Sequence, residues 1–270
     1  MKTLTLHVAH DDGFEGRFQV ALDIARRFGS HLTLVQPALT QDFVSFDMAG
    51  GAHFVAQAFE AAESARAALK TQIEADLGNE GVSWSWQEMD GSSRVAILAE
   101  ASWLSDLAIL SLDPDRRGAA QPGRALAGDI AMTSRTPILA VPSGHKGFGF
   151  KRAVIAYDSG PEASFALRCA VPLLAACDEV ILAQVTNDTD AFPQTDAADY
   201  LARHGVKVRV EVVPMAGRTV EEQLVGAAAR FGADFLVMGA YGHSRWREAL
   251  FGGVTRYILA ETKVPVLLAH

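Results

Sequence analysis

Short apolar runs alternate along this chain with longer stretches whose apolar residues recur every three or four positions. In the second half the runs fall at 152–157, 179–185, 206–213, 234–239 and 264–269. They are continuous and rich in Val, Ile and Leu, the pattern of strands buried on both faces of a parallel sheet. Helical patterns lie between them at 161–176, 195–204, 217–231 and 247–262. Such alternation predicts βαβ units with right-handed crossovers. Ser159-Gly160-Pro161-Glu162 predicts a turn and a proline in the first turn of a helix. Thr219, with Glu222 three residues on, predicts a capping box. The first half repeats the plan, with strands near 3–9, 31–36, 82–88, 106–112 and 137–141. There Pro37 to Gly51 reads as a loop and 53–77 as an alanine-rich helix, a region the second half compresses to Thr186–His204.

The two halves share an offset. Asp106-Leu-Ala-Ile-Leu-Ser-Leu112 and Asp234-Phe-Leu-Val-Met-Gly-Ala240 are 128 residues apart, as are Thr136-Pro137-Ile-Leu-Ala-Val141 and Val264-Pro265-Val-Leu-Leu-Ala269. Leu4–Ala9 precedes Asp11-Asp12-Gly13 as Ala153–Tyr157 precedes Asp158-Ser-Gly160. A duplicated domain is expected. Pro142-Ser-Gly-His-Lys-Gly-Phe-Gly149 has linker composition, so the expected domains are 1–142 and 150–270, each of ordinary size.

Composition narrows the function. The 270 residues are 49% hydrophobic and carry a formal net charge of −8. No domain-scale basic excess exists to neutralise nucleic-acid phosphates. Cys169 and Cys177 would lie about two turns (roughly 12 Å) apart on a helix, beyond disulfide reach, and fit a reducing, cytoplasmic setting. The N-terminal Met1–His7 lacks a long apolar stretch and a cleavage site, and no run approaches the ~18 apolar residues of a membrane span.

Chemistry concentrates in one place. Gly239-Ala-Tyr-Gly242 and Gly252-Gly253-Val-Thr255 follow a strand and enter a helical stretch. In open parallel sheets ligands bind beyond the carboxyl ends of strands. Gly239 and Gly242 permit close backbone approach. A helix beginning near Gly252 and Gly253 aims free N–H groups and the positive end of its dipole at a phosphate. Ser244 and Thr255 offer hydroxyls, and Arg245 and Arg247 offer charge. His243 reads either as a phosphate donor or as a solvated loop residue. His7 and His10, without other ligands nearby, make no metal site. Trp84 and Trp86 share one face of a strand, as packing under a helix requires. Neither a Gly-x4-Gly-Lys-Ser/Thr loop nor a Gly-x-Ser-x-Gly elbow is present.

The stretch Met238 to Thr255 resembles the nucleotide loop of the universal stress protein family, whose ATP-binding members carry Gly-x2-Gly-x9-Gly-Ser/Thr. The resemblance extends over the second half, through an aspartate ending its first strand and a closing Val-Pro-Val-Leu-Leu strand. It implies an α/β fold of two doubly wound, parallel five-stranded domains of Rossmann-like type, strand order 3-2-1-4-5, pairing through their last strands at 137–141 and 265–269. It implies ATP, with Mg2+, or AMP in the C-terminal domain. Ala156 and Val185 would line the base and Asp158 would meet adenine and ribose. Met238 and Gly239 would lie beneath the nucleotide. Gly242, His243, Gly252, Gly253, Val254 and Thr255 would surround the phosphates. The alternative for Asp158 is a turn or helix-capping residue. Gly253 departs from the motif's Ser/Thr, which removes a hydroxyl and leaves an N–H.

In the first half Ser111, Pro114, Arg124 and Ala125 stand where the glycines would be, and no nucleotide is expected there. Asp11 and Asp12 end its first strand but are not read as ligands. Arg116, Arg117 and Arg124 read as solvated charge or as an anion site. The expected function is a cytoplasmic stress-response sensor or regulator binding an adenine nucleotide, with a homodimer and signalling proteins as partners. No placed general base points to efficient ATP hydrolysis, and slow hydrolysis stays open. The alternative is a protein-interaction module of the same fold without nucleotide.

Overall fold

The computed structural model describes residues 1–39, 52–112, 126–187, 195–240 and 253–270. Strand β1 (Thr3–His7) leads through helix α1 (Phe14–Phe28) to β2 (His31–Leu39). Helix α2 (Ala52–Leu77), β3 (Ser83–Gly91), α3 (Arg94–Ser102), β4 (Leu107–Ser111), α4 (Leu126–Ser134) and β5 (Ile138–Val141) complete a first series. The second comprises β6 (Arg152–Ala156), α5 (Pro161–Leu174), β7 (Glu179–Thr186), α6 (Asp196–Arg203), β8 (Val208–Pro214), α7 (Val220–Phe231), β9 (Phe235–Gly239), α8 (Gly253–Glu261) and β10 (Val266–Ala269). Thr219 caps α7 in the expected box, its hydroxyl accepting from the Glu222 N–H while the Glu222 carboxylate accepts from the Thr219 N–H.

The strands form one sheet in the order β3-β2-β1-β4-β5-β10-β9-β6-β7-β8. Each series is parallel within itself and has the order 3-2-1-4-5. The two meet at β5 and β10, which are antiparallel, with Leu139 opposite Leu267. The closing strands therefore pair with each other, and each covers the other's open edge. Because this joint is antiparallel, the carboxyl ends of the two series point to opposite ends of the sheet.

Alternation along the strands loads both faces with apolar side chains. Leu4, Leu6, Leu32, Leu34, Ile155, Leu182 and Val237 lie on the face covered by α1, α2, α5 and α6. Ala108, Leu110, Val154, Ile181, Leu236 and Leu268 lie on the face covered by α3, α4, α7 and α8. Trp84 and Trp86 pack on the α1/α2 face, with the Lys70 ammonium of α2 5.7 Å from the Trp86 ring centroid.

Two strand ends differ most from expectation, and β3 is one, running to Gly91 rather than to 88. Strand β2 continues through Pro37 to Leu39 rather than breaking there. Its last partner on β1 is Val35 with His7, and beyond that it keeps only β3, with Pro37 opposite Met89. On that stretch β2 has an open side, where a proline is tolerated. The rest of the expected loop, 40–51, and residues 247–252 of the expected helix lie outside the described residues.

Residues 142–151 are pinned between the series. Phe148 is buried, its ring 5.0 Å from Phe150 and 5.0 Å from Phe235 of β9. Phe150 meets Phe28 of α1 at 6.1 Å. The Phe148 N–H donates to Asp23 (2.8 Å), and the Lys151 and Arg152 N–H groups donate to Asp234 (2.7 and 2.8 Å). No helix among the described residues is long and apolar enough to cross a membrane.

Candidate functional site

Strands β6 and β9 are neighbours, and β7 flanks β6 with Ala183 opposite Ala156. Their carboxyl ends bring Ala156, Asp158, Val185, Met238 and Gly239 to one end of the sheet. Just past β6, Asp158 is exposed. Its Oδ1 accepts from the Gly160 N–H at 2.8 Å, which sets the turn into α5, with Pro161 opening the helix. Asp158 makes no ion pair among the described residues.

Gly239 is required sterically. A Cβ there would lie 2.6 Å from the Ala163 nitrogen and 2.6 Å from the Glu162 carbonyl carbon. Those are backbone atoms of α5 that cannot easily move, so only glycine lets the end of β9 meet the first turn of that helix. Helix α8 begins at Gly253. It runs back antiparallel to β9 and β10, which places its amino end, the positive end of its dipole, at the same end of the sheet. Gly253 is exposed with open space around its Cα, Val254 packs partly against the core, and Thr255 is buried at 3% exposure. The open position at the helix start is therefore Gly253. Gly242, His243, Ser244, Arg245, Arg247 and Gly252 lie outside the described residues, as do Arg116, Arg117 and Arg124.

The first series repeats the turn and ends differently. Asp11 Oδ1 accepts from the Gly13 N–H at 2.9 Å, the counterpart of Asp158 and Gly160. Here the carboxylate is engaged. Arg17 of α1, 0% exposed, pairs with both oxygens of the 41% exposed Asp11 (Nη1–Oδ1 2.6 Å, Nη2–Oδ2 2.9 Å). Its Nε donates to the His7 carbonyl at 2.7 Å, Nη2 to the Ala9 carbonyl at 3.3 Å, and Nη1 to the Ser111 hydroxyl. Sequence reasoning passed over Arg17. The signal was there: it sits on the stripe Arg17, Val20, Ala21, Ile24, whose other members are core residues of an amphipathic helix.

Beside it, His7 is buried with neither ring nitrogen hydrogen-bonded. Burial, then the positive charges of Arg17 and Arg94, hold its pKa well below the ordinary histidine value, so it stays neutral. Among the described residues no group of three His, Cys, Asp or Glu side chains is placed to hold a metal. Cys169 and Cys177 are free thiols. Burial raises both pKa values, and with Asp234 and Asp178 nearby Cys177 is pushed up to about 12.

An α/β sheet of this order, with a glycine-tight strand end, belongs to the doubly wound, Rossmann-like class of folds. The comparisons narrow it. Residues 149–270 match the model of the Universal stress protein family. A stretch of 89 residues is 34% identical to a universal stress protein of Synechocystis sp., covering 33% of this chain and 30% of that relative's length. The crystal structure of a universal stress protein from Archaeoglobus fulgidus aligns over 99% of this chain and 95% of its own, with a TM-score of 0.68 at 17% identity. A functionally unknown protein from Pseudomonas aeruginosa PAO1 aligns over 99% and 92%, with a TM-score of 0.60 at 17% identity. At such identities the structural likeness speaks for the fold alone. Residues 149–270, just under half of the chain, thus match the universal stress protein domain, and the chain is similar to that family.

Proposed function

We propose that residues 150–270 form a domain that binds an adenine nucleotide, ATP with Mg2+ or AMP, and that the chain acts as a stress-response sensor or regulator in the cytoplasm. The observation that carries this reading is the contrast between two equivalent carboxylates. Among the described residues Asp158 is engaged by its own turn alone, near Gly239, whereas Asp11 is held by Arg17. In this reading Ala156 and Val185 line the base, Asp158 meets the ribose and adenine, and Met238 and Gly239 floor the site. The Gly253 N–H meets phosphate, with Val254 and Thr255 in the helix behind it. Gly242, His243 and Gly252 complete the phosphate loop. Residues 1–142 form a companion domain that takes no nucleotide, and one nucleotide binds per chain. The two unpaired thiols fit a reducing compartment. A homodimer and signalling proteins are the proposed partners.

Titration calorimetry and thermal unfolding with Mg-ATP and AMP test it. One site per chain and a rising Tm are expected, because a ligand that binds only the native state must stabilise it. If millimolar Mg-ATP and AMP both leave Tm unchanged, the nucleotide reading falls. The second reading, an interaction module without nucleotide, is favoured by one residue: Gly253 offers no hydroxyl where the family motif has one.

A further inference from the structure

We infer that Arg17 is the resident occupant of the first series' ligand crevice, a part of the chain that does there what a bound small molecule would otherwise do. A guanidinium has five N–H donors in a planar fork. Each has an acceptor: the His7 carbonyl for Nε, Asp11 Oδ1 and the Ser111 hydroxyl for Nη1, Asp11 Oδ2 and the Ala9 carbonyl for Nη2. Those acceptors come from the ends of β1 and β4 and the turn after β1, the elements that border the crevice of an open α/β sheet. The group is wholly buried, with these acceptors around it and the Phe14 ring centroid 5.1 Å from its central carbon. By the Asp-x-Gly turns, Asp11 matches Asp158 and Arg17 matches Ser164, a small side chain whose hydroxyl lies 3.4 Å from the Tyr157 hydroxyl. The second series has a serine where the first supplies its own cation. This inference is independent of whether residues 150–270 bind nucleotide.

The consequence is a site of stated chemistry. Removing the side chain leaves a carboxylate, a hydroxyl and two carbonyls aimed at a vacated guanidinium, reachable past the partly exposed Asp11. Arg17→Ala should lower Tm by roughly 4–8 °C, the cost of a buried pair in a chain of this size reduced because Asp11 is partly exposed. Millimolar ethylguanidinium chloride should then raise the variant's Tm progressively and leave the unsubstituted protein's unchanged. Ethylammonium chloride at equal ionic strength should do neither. Arg17→Lys, which keeps charge without the fork, should remain below the unsubstituted protein. A Tm for Arg17→Ala within about 2 °C of the unsubstituted protein would overturn the inference. So would ethylguanidinium acting equally on both proteins. Should Arg17→Ala not fold, Arg17→Lys and Asp11→Asn carry the test: their Tm losses combined in one chain should be less than additive, and strict additivity would overturn it.

Discussion

Gly239 and Ser111 close equivalent strands, β9 and β4, and each meets the helix that begins beside it. In the second series the glycine is on the strand. In the first the strand ends in a serine, and a Cβ on Gly13, which precedes α1, would lie 2.5 Å from the Ser111 hydroxyl. Gly239→Ala should cost about 1–3 kcal/mol in urea unfolding and weaken nucleotide binding at least about tenfold, since α5 must retreat by a fraction of an ångström. Binding at full strength would separate the glycine from the site.

His7 predicts a pH effect. Its folded pKa lies below its unfolded value, so the contribution is present above about pH 6.5 and is lost as pH falls through the folded pKa. His7→Phe should remove up to about 1.4 kcal/mol per pH unit of acid destabilisation on that limb, seen as a flatter stability profile in urea between about pH 7 and pH 5. At the same scale, the raised thiol pKa values predict that Cys169 and Cys177 react with a disulfide reagent far more slowly in the native protein than in the denatured one near pH 8.

At the scale of elements, helix α8 carries the clearest experiment. Gly253 stands at its amino end with nothing within 4 Å of a would-be Cβ. Gly253→Ser should therefore be accepted without strain, should lower the helix's propensity penalty, and should add one hydrogen bond to phosphate. Nucleotide affinity should rise about 3–10-fold by calorimetry; an unchanged or weaker affinity would show that phosphate does not meet this helix start.

Strands and helices were largely legible in the sequence because buried parallel strands are continuous apolar runs with few competing patterns. The Thr219 cap and the turn before Pro161 were legible for the same local reason. Pro37 was not, because its place in β2 depends on where β1 stops, a relation between strands that no local pattern contains. Arg17 was only half legible. Its position on the apolar stripe marks it as buried, but Asp11, His7 and Ser111 converge on it from β1, the turn after it, and β4, separated by up to 94 residues in the chain. The Asp158 turn was legible as one of two alternatives, and the structure shows the turn, with Oδ1 accepting from the Gly160 N–H.

At the scale of the whole molecule, the strap of residues 142–151 makes the two series mechanically one. Phe28, Phe148, Phe150 and Phe235 share a cluster drawn from α1, the strap and β9, and the sheet is continuous through β5 and β10. Calorimetry should therefore show a single unfolding transition with equal calorimetric and van't Hoff enthalpies. Phe148→Ala should cost about 3–5 kcal/mol and split or broaden that transition. Two resolved peaks in the unsubstituted protein would show that the strap does not couple the series.

The joint between β5 and β10 has a consequence for how such a molecule can change. Leu139 and Leu267, 128 positions apart in the chain, face each other across it. In a pair of identical subunits a residue on the symmetry axis meets its own copy, and every substitution arrives twice. Here the two leucines are encoded separately. The flanking pairs have already diverged, Ile138 against Leu268 and Ala140 against Val266. A large residue on one side of this seam can be answered by a smaller one on the other, a single step at a time, along a route closed to any symmetric dimer.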